Sequence, residues 1–266
     1  MLIIAVAIGI AIWVTTRKHE EIKNDNLKIV TSFYPIHVMT ANITQNVPDV
    51  ELVNMTEANV GCLHDYTIST TDMKKIEKAD IYIQNGLGLE SFMDKIISAY
   101  PELKVIDTSA DISNKIQDEN ETNPHIWTSI ENYIKQVETI CQKLCEYDNK
   151  NAETYKANCE SYLQKINQEK QKYENQLQKL NGAKAICLNE GLEYLLQELK
   201  MQVTQVETNH EESTMSAETL KNLIEKIKNE NPEDILKVVD YHPENIGKIT
   251  DSSNRAGCYI RKAKVF

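Results

Sequence analysis

His125 is the residue whose type and surroundings point most directly to chemistry. It follows Pro124 and precedes segment 129–180, which contains neither proline nor glycine. Proline restricts its own φ and disfavours helical backbone in the residue before it, so His125 leaves a turn with little backbone freedom. An imidazole held in this way suits metal binding. The same residues are also typical of a plain helix start anchored by Trp127, and the motif alone does not separate the two interpretations.

Composition and charge exclude several classes of function. The 266 residues are 41% hydrophobic and 26% charged, as in an ordinary globular protein with room for two modest domains. The formal net charge of -11 disfavours nucleic acid as a partner, because a phosphate backbone is bound mainly by clustered lysine and arginine. The sequence has no nucleophile elbow, phosphate-binding loop or HExxH helix, so we do not expect an enzyme.

The N-terminal sequence predicts export. Positions 2–14 form an apolar run that is shorter than the ~20 residues of a membrane-spanning helix and fits a signal-peptide core. Arg17 and Lys18 follow this run instead of preceding it, so we expect either that the true start lies upstream or that the segment remains as an anchor. We predict that 1–26 is a signal peptide or membrane anchor plus a tether. The chain is then extracytoplasmic, either membrane-anchored or secreted.

Strand and helix patterns alternate over the first part of the chain. Strand patterns at 27–32, 51–55, 81–84 and 103–107 are separated by helical patterns at 34–44, 69–78 and 90–98. For the helix at 69–78, Thr70 or Thr71 is the expected N-cap. The alternation predicts a parallel sheet with helices on both faces. We place this N-terminal α/β lobe at 27–128.

A helical connector follows, and the alternation then resumes. Segment 129–181 has apolar residues at helical spacing with a break expected near 148–151, so it is predicted to include one long linking helix. Further strand patterns occur at 185–188, 202–206 and 235–239, with helical patterns at 191–200 and 216–229 between them. We place the C-terminal α/β lobe at 182–266 and expect it to lack a final strand and helix.

The six cysteines do not form a CxxC pattern or a dense disulfide framework, so most are predicted to be buried thiols. Cys141 and Cys145 are four residues apart on one predicted helical face. A disulfide between neighbours on the same helix would strain its geometry. A bridge between Cys187 and Cys258 in the C-terminal lobe is the alternative that an oxidising compartment would allow.

Four short segments together resemble one protein family. These segments are 32–35, 61–66, 85–90 and 123–127. They look like the signature segments of the metal-binding solute-binding proteins of bacterial ABC importers for zinc or manganese, and the similarity extends from Leu27 to about Ile249. The resemblance implies two α/β lobes with parallel sheets flanked by helices, joined by one long backbone helix, with the metal held between the lobes.

The resemblance also implies a set of metal ligands. Two histidines of the first lobe fall on His64 and His125. In the second lobe, the position that usually holds a third histidine is Asn189, which offers only a weak amide oxygen, and the adjacent Glu190 offers a carboxylate. The last acidic ligand of the family has no clear counterpart before Phe266, so we expect a divergent and shortened C-terminal lobe. The polar run at 210–212 could touch a metal but is predicted to be a solvated loop, and His37 and His242 are predicted to be structural.

The resemblance thus implies a protein that captures a divalent transition metal and delivers it to the membrane permease of an ABC importer. Zn²⁺ is favoured over Mn²⁺ because nitrogen ligands favour zinc. We expect a monomeric, membrane-tethered protein without enzymatic activity. The alternative is a degenerate relative that binds metal weakly or not at all and acts as an adhesion or interaction protein.

Overall fold

The first lobe is built on a sheet of four parallel strands in the order β2-β1-β3-β4. The computed structural model describes residues 26–57, 60, 63, 66–117, 121–187, 190–205, 218, 221–222, 225, 237–239 and 261–262. The strands are β1 (Leu27–Thr31), β2 (Val50–Asn54), β3 (Ile81–Gln84) and β4 (Lys104–Asp107). The helices between them are α1 (Tyr34–Ile43), α2 (Thr70–Ile76) and α3 (Met93–Ala99).

Both faces of this sheet are covered. Ile81, Tyr82 and Ile83 are consecutive along β3 and all are fully buried. Successive strand residues point to opposite faces, so this burial requires packing on both sides of the sheet, as expected for a parallel sheet. The predicted α/β architecture of the first lobe is therefore confirmed.

Two helix starts differ from the predicted ones. The N-cap of α2 is Ser69, whose hydroxyl accepts from the Asp72 backbone N–H at 3.2 Å while the Asp72 carboxylate accepts from the Ser69 N–H at 2.8 Å. This capping box satisfies two N–H groups that the helix leaves open, which a cap at Thr70 or Thr71 would not do. Helix α3 begins at Met93 and not at Glu90, because the Glu90 side chain is turned back onto the preceding loop.

The connector contains two helices, as predicted. Helix α4 (Ile130–Tyr147) is followed by a 3-10 turn (Asn149–Asn151) and by α5 (Ala152–Gln178), which has 27 residues and is about 40 Å long. At the break, the buried Asp148 carboxylate accepts from the Asn151 amide and the Tyr155 hydroxyl, each at 2.7 Å. None of the helices in the described part of the chain has the length and hydrophobicity needed to cross a membrane.

The second lobe repeats the strand order of the first. Its strands β5 (Lys184–Cys187), β6 (Gln202–Gln205), β7 (Lys237–Val239) and β8 (Arg261–Lys262) are parallel in the order β6-β5-β7-β8. A 3-10 turn (Glu190–Leu192) and α6 (Glu193–Glu198) follow β5. The expectation that a final strand is missing is wrong, because β8 is present. A strand of two basic residues carries no apolar pattern to predict it.

The lobes meet through a small apolar cluster and a set of polar contacts at one end of α4. Ile112 and Ile126 of the first lobe pack with Tyr194 of α6. The Glu198 carboxylate, also on α6, accepts from the hydroxyl of Ser129, the N-cap of α4, at 2.7 Å. Lys170 of α5 lies 3.6 Å from the same carboxylate. The start of α4 is therefore fixed by groups from the second lobe.

Candidate metal centre

The His125 imidazole is held by its own turn. The whole residue is 6% exposed. The His125 backbone carbonyl accepts from the Thr128 N–H at 3.2 Å and from the Thr128 hydroxyl at 2.8 Å, and these two bonds join His125 to the 3-10 turn Ile126–Thr128. The ring lies 5.1 Å from the Trp127 ring, centroid to centroid, and Trp127 packs edge-on against Phe33 at 4.9 Å. Trp127 thus anchors the turn and supports the imidazole at the same time.

Asn123 sets the orientation of the His125 ring. The Asn123 Oδ1 atom lies 3.0 Å from the His125 backbone N and 2.9 Å from its Nδ1. An amide oxygen only accepts hydrogen bonds, so Nδ1 carries the proton and donates it. In a neutral imidazole the lone pair then resides on Nε2. This is the arrangement by which metal-binding histidines are usually oriented.

A buried network of amide side chains is hydrogen-bonded to the turn that carries His125. The Asn85 Nδ2 donates to the Pro124 carbonyl at 2.8 Å, and Asn85 Oδ1 accepts from Gln136 Nε2 at 3.1 Å. Gln136 also donates to the Thr108 hydroxyl at 2.8 Å, and that hydroxyl donates to the Asn85 carbonyl at 3.1 Å. Asn85, Gln136 and Thr108 are all fully buried. The ends of β3 and β4 are thereby joined to α4 and to the histidine turn.

Glu90 holds the loop that carries Asn85. Its buried carboxylate accepts from the Asn85 N–H at 2.7 Å and from the Gly86 N–H at 3.1 Å. Burial raises the pKa of Glu90 to about 7, and the two N–H donors oppose that rise. Gly86 has φ +90, and a Cβ there would collide with the Asp107 carboxylate, so the loop requires glycine at this position.

Asn123 also reaches across to the second lobe. Its Nδ2 donates to the Glu190 carbonyl at 3.0 Å and to the Glu193 carboxylate at 2.8 Å. Its carbonyl accepts from the Tyr194 hydroxyl at 2.8 Å, and that hydroxyl accepts from the Ile116 N–H at 3.0 Å. One amide side chain therefore links the His125 ring directly to the first turn after β5.

Glu190 and His125 are brought together by the fold. The Glu190 Oε1 atom lies 3.6 Å from His125 Nδ1, and the two side chains are 28% and 8% exposed. The carboxylate is on the proton-bearing side of the ring, where it favours the Nδ1–H tautomer. To share a metal with Nε2, the carboxylate would have to rotate about its side-chain bonds.

His64 and Asn189 lie outside the described residues, as do His210 and His242. The chain on either side of His64 is described: Leu63 is fully buried, and its carbonyl accepts from the Tyr66 N–H at 3.1 Å. Burial and a hydrogen bond to Asp72 raise the pKa of Tyr66 to about 12, so its phenol stays protonated. Within the described ranges, no group of three or more potential ligand side chains is placed to hold a metal ion.

The sequence did not assign a role to Gln136, Asn123 or Glu193 in this centre. Asn123 carried a signal, because an asparagine two residues before an N–H commonly accepts from it in an Asx turn. The sequence signal for Gln136 was weaker, because Gln136 is a polar residue that lies between the apolar positions of an amphipathic helix. The contact between Asn123 and Glu193 joins residues 70 positions apart and has no local signature.

Nearly the whole described chain matches the model of one protein family. The profile of the family described as zinc-uptake complex component A, periplasmic (ZnuA), matches residues 29–262. Manganese-binding lipoprotein MntA of Halalkalibacterium halodurans is 32% identical over 144 residues, which are 53% of this chain and 47% of that protein. The match thus spans about half the length of that relative.

Two further matches cover a larger share of this chain and of the matched protein. High-affinity zinc uptake system protein ZnuA of Bacillus subtilis is 22% identical over 254 residues, 90% of this chain and 77% of that protein. A crystal structure of ZnuA superposes with a TM-score of 0.73 at 23% identity and covers 90% of this chain and 91% of that one. The structural match confirms the two-lobe fold with its long helix.

Proposed function

Because the chain belongs to the ZnuA family of periplasmic zinc-uptake components, we propose that it captures a divalent transition metal between its lobes and delivers it to an ABC importer. The family is one of metal-binding solute-binding proteins of uptake systems and not of enzymes. The single observation that carries the proposal is the His125 imidazole, whose Nδ1–H is held by Asn123 and faces Glu190 of the other lobe at 3.6 Å.

The proposed ligands are His64 and His125 from the first lobe and Asn189 and Glu190 from the second. Nitrogen from the first lobe and oxygen from the second would give a mixed site, which suits zinc and manganese. We favour zinc because two imidazoles are proposed. The relatives do not decide between the metals, since one is named for manganese and another for zinc.

The proposed division of the chain follows from the same role. Residues 27–128 form one lobe and 182–266 the other, with 129–181 between them, while 1–26 serve for export or anchoring. A linking helix of 27 residues would restrain hinge opening, so metal loading would be signalled by small shifts of lobes or loops. The permease of the importer would read those shifts. We propose a monomer outside the cytoplasm, held at the membrane.

A titration tests the capture step. The metal-stripped chain from Leu27 onward is titrated with Zn²⁺ and with Mn²⁺ in a calorimeter, beside His125→Ala and His64→Ala. We expect one saturable site that each of the two substitutions weakens by at least about 100-fold, more than the loss of an outer hydrogen bond would. The matched control is His37→Ala, because His37 Nδ1 contacts the Thr31 hydroxyl at 3.3 Å inside the first lobe.

The rival function is that of a degenerate relative acting in adhesion or interaction. Asn189, where the resemblance implies a histidine, is the observation that favours it. An absent saturable site, or one that neither substitution affects, would support this rival and refute the metal carrier.

A further inference from the structure

Three cysteines converge where the two connector helices meet, far along the chain from the candidate metal centre. Cys141 and Cys145 are one turn apart on α4, and Cys159 is on the second turn of α5. They line one side of an open depression of about 460 Å³. Its other lining residues are Glu138, Gln142, Glu146, Ala152 and Lys156.

The thiols of α4 reach the backbone of α5. Cys141 Sγ donates to the Tyr155 carbonyl at 3.7 Å, and Cys145 Sγ donates to the Ala152 carbonyl at 3.5 Å. Tyr155 is one helical turn before Cys159 on α5, which places Cys141 beside Cys159. Cys141 and Cys159 are 8% and 6% exposed, and both line the depression.

Cys141 and Cys159 are the best placed pair for a disulfide, because Cys145 Sγ contacts the carbonyl of Ala152, seven residues before Cys159. Cys141 and Cys145 belong to the same helix, where neighbouring positions do not meet the geometry of the bond without strain. Cys141 and Cys159 belong to two helices joined by the short turn Asn149–Asn151, so they face each other across a helical hairpin. Both line the same depression, and Cys141 Sγ lies 3.7 Å from the carbonyl of Tyr155, one helical turn before Cys159.

The surroundings make Cys159 the attacking thiol. The neighbouring Cys141 thiol lowers the pKa of Cys159, while burial and the carboxylate of Glu138 oppose this. The neighbouring Cys159 thiol and burial raise the pKa of Cys141, whose proton is donated to the Tyr155 carbonyl. The Lys156 ammonium on the same depression favours negative charge on the cluster.

We propose that Cys141 and Cys159 form a reversible disulfide that joins α4 to α5 by exchange with a small disulfide. The Cys159 thiolate attacks one sulfur of the reagent RSSR, and the S–S bond breaks to release RS⁻. Cys141 then loses its proton and attacks Cys159 Sγ, which expels the second RS⁻. Two protein thiols are oxidised and RSSR is reduced to two RSH. The supply of such disulfides rests on the proposed function, which places the chain outside the cytoplasm.

The bridge would fix the connector without touching the metal centre. Cys141 lies about three turns, or roughly 16 Å, beyond the start of α4, whereas the His125 turn precedes that start. The oxidised chain should therefore bind metal as the reduced chain does. Its melting temperature should be higher by roughly 5–10 °C, because closing the short loop between the two cysteines constrains the unfolded chain.

Peptide mapping tests the proposal directly. The folded chain is treated with oxidised glutathione, its remaining thiols are alkylated, and it is digested with trypsin without reduction. The three cysteines fall on separate tryptic peptides, 136–143, 144–150 and 157–165. We expect 136–143 linked to 157–165, together with the rise in melting temperature, and both should disappear with dithiothreitol. Cys145→Ser should retain the link, and Cys159→Ser should abolish it.

Two results would overturn the proposal. One is complete alkylation of Cys141 and Cys159 after oxidation, and the other is a link that joins 144–150 in place of 157–165. The mapping needs no metal, so a chain that forms the bridge but fails the metal titration refutes the proposed function and leaves this inference intact. A chain that binds metal but forms no bridge refutes the disulfide and leaves the proposed function intact.

Discussion

Asn123 has two tasks at the residue scale. Its oxygen orients the His125 ring, and its amide nitrogen reaches Glu190 and Glu193 of the other lobe. An orienting hydrogen bond to a metal-binding histidine typically contributes 10–100-fold to affinity. Under the proposed function, Asn123 would therefore matter for metal binding without touching the metal.

Replacing Asn123 by alanine should lower zinc affinity by about 10–100-fold, measured by competition with a chromogenic chelator. The matched variant is Tyr194→Phe, which removes one hydrogen bond to the Asn123 carbonyl but leaves its side chain in place. That variant should bind zinc within a few-fold of the unmodified chain. Equal affinity for Asn123→Ala and the unmodified chain would show that the ring is oriented by other groups.

Glu90 makes stability depend on pH. Its folded pKa of about 7 lies above the ordinary 4.5, so between these values the folded chain retains a proton that the unfolded chain has lost. The free energy of unfolding should thus fall as the pH rises through this window, by about 3 kcal/mol for this group. The stability that the protonated Glu90 contributes to the folded chain is fully present below pH 4.5 and is lost above about pH 7.

Denaturant titrations from pH 4.5 to 8 check this dependence. Glu90→Gln cannot titrate, so the difference in stability between the unmodified chain and this variant should change by about 3 kcal/mol across the window. Two parallel stability curves would mean that Glu90 titrates with an ordinary pKa and that its backbone donors outweigh its burial.

Much of this centre could be predicted from residue types and spacing, and part of it could not. His125 could be predicted as a candidate ligand because proline fixes its turn locally. Glu190 could be predicted because it is adjacent to Asn189, the position where the resemblance implies a histidine. The Gln136 contacts with Asn85 and Thr108 could not be predicted, since they join residues 51 and 28 positions apart. Such contacts are set by packing of distant elements, and neither partner carries a local signal for them.

At the scale of elements, α4 links the ends of β3 and β4 to the histidine turn. Gln136 supplies this link from the middle of the helix, where it donates to Asn85 and to Thr108. Removing it leaves two buried acceptors without their donor and creates a small cavity.

Gln136→Ala should lower the free energy of unfolding by about 2 kcal/mol or more, as measured by urea denaturation. Gln142→Ala is the control on the same helix, because Gln142 is exposed and bonds only to its neighbour Glu146 in the described structure. That control should change stability by less than about 0.5 kcal/mol. Similar losses for the two variants would contradict a structural role for the buried amide network.

The order of elements was predictable, and their ends were less so. Alternating apolar runs identified β1 to β7, and the absence of proline and glycine identified α4 and α5. The start of α3 was misplaced because Glu90, a typical helix-start residue, bonds to the loop before it. Strand β8 was missed because a two-residue edge strand is defined by its pairing with β7 and not by its own residues.

At the scale of the molecule, two sheets have the same strand order, and the lobes that contain them are in contact near the start of α4. Among the described residues, Tyr194 packs on Ile112 and Ile126 of the other lobe, and Asn123 bonds to Glu190 and Glu193. An interface of this kind allows small relative shifts while α5 limits large ones. Metal that bridges the lobes would add to these contacts and so stabilise the whole fold.

Zinc should therefore raise the melting temperature of the chain from Leu27 onward. At a free metal concentration 100 times the dissociation constant, linkage contributes about 2.7 kcal/mol, or roughly 5–10 °C. Scanning fluorimetry with a chelator-buffered zinc series measures the shift. His125→Ala should melt at the same temperature with and without zinc, and a persisting shift would place the stabilising metal elsewhere.

The position of the bound metal tests the central claim most directly. Crystals of the chain grown with Zn²⁺ would be measured above and below the zinc absorption edge. We predict an anomalous peak at about 2.0–2.1 Å from His125 Nε2, with a second-lobe oxygen also in its coordination shell. A peak remote from His125, or coordination by one lobe alone, would contradict capture of the metal between the lobes.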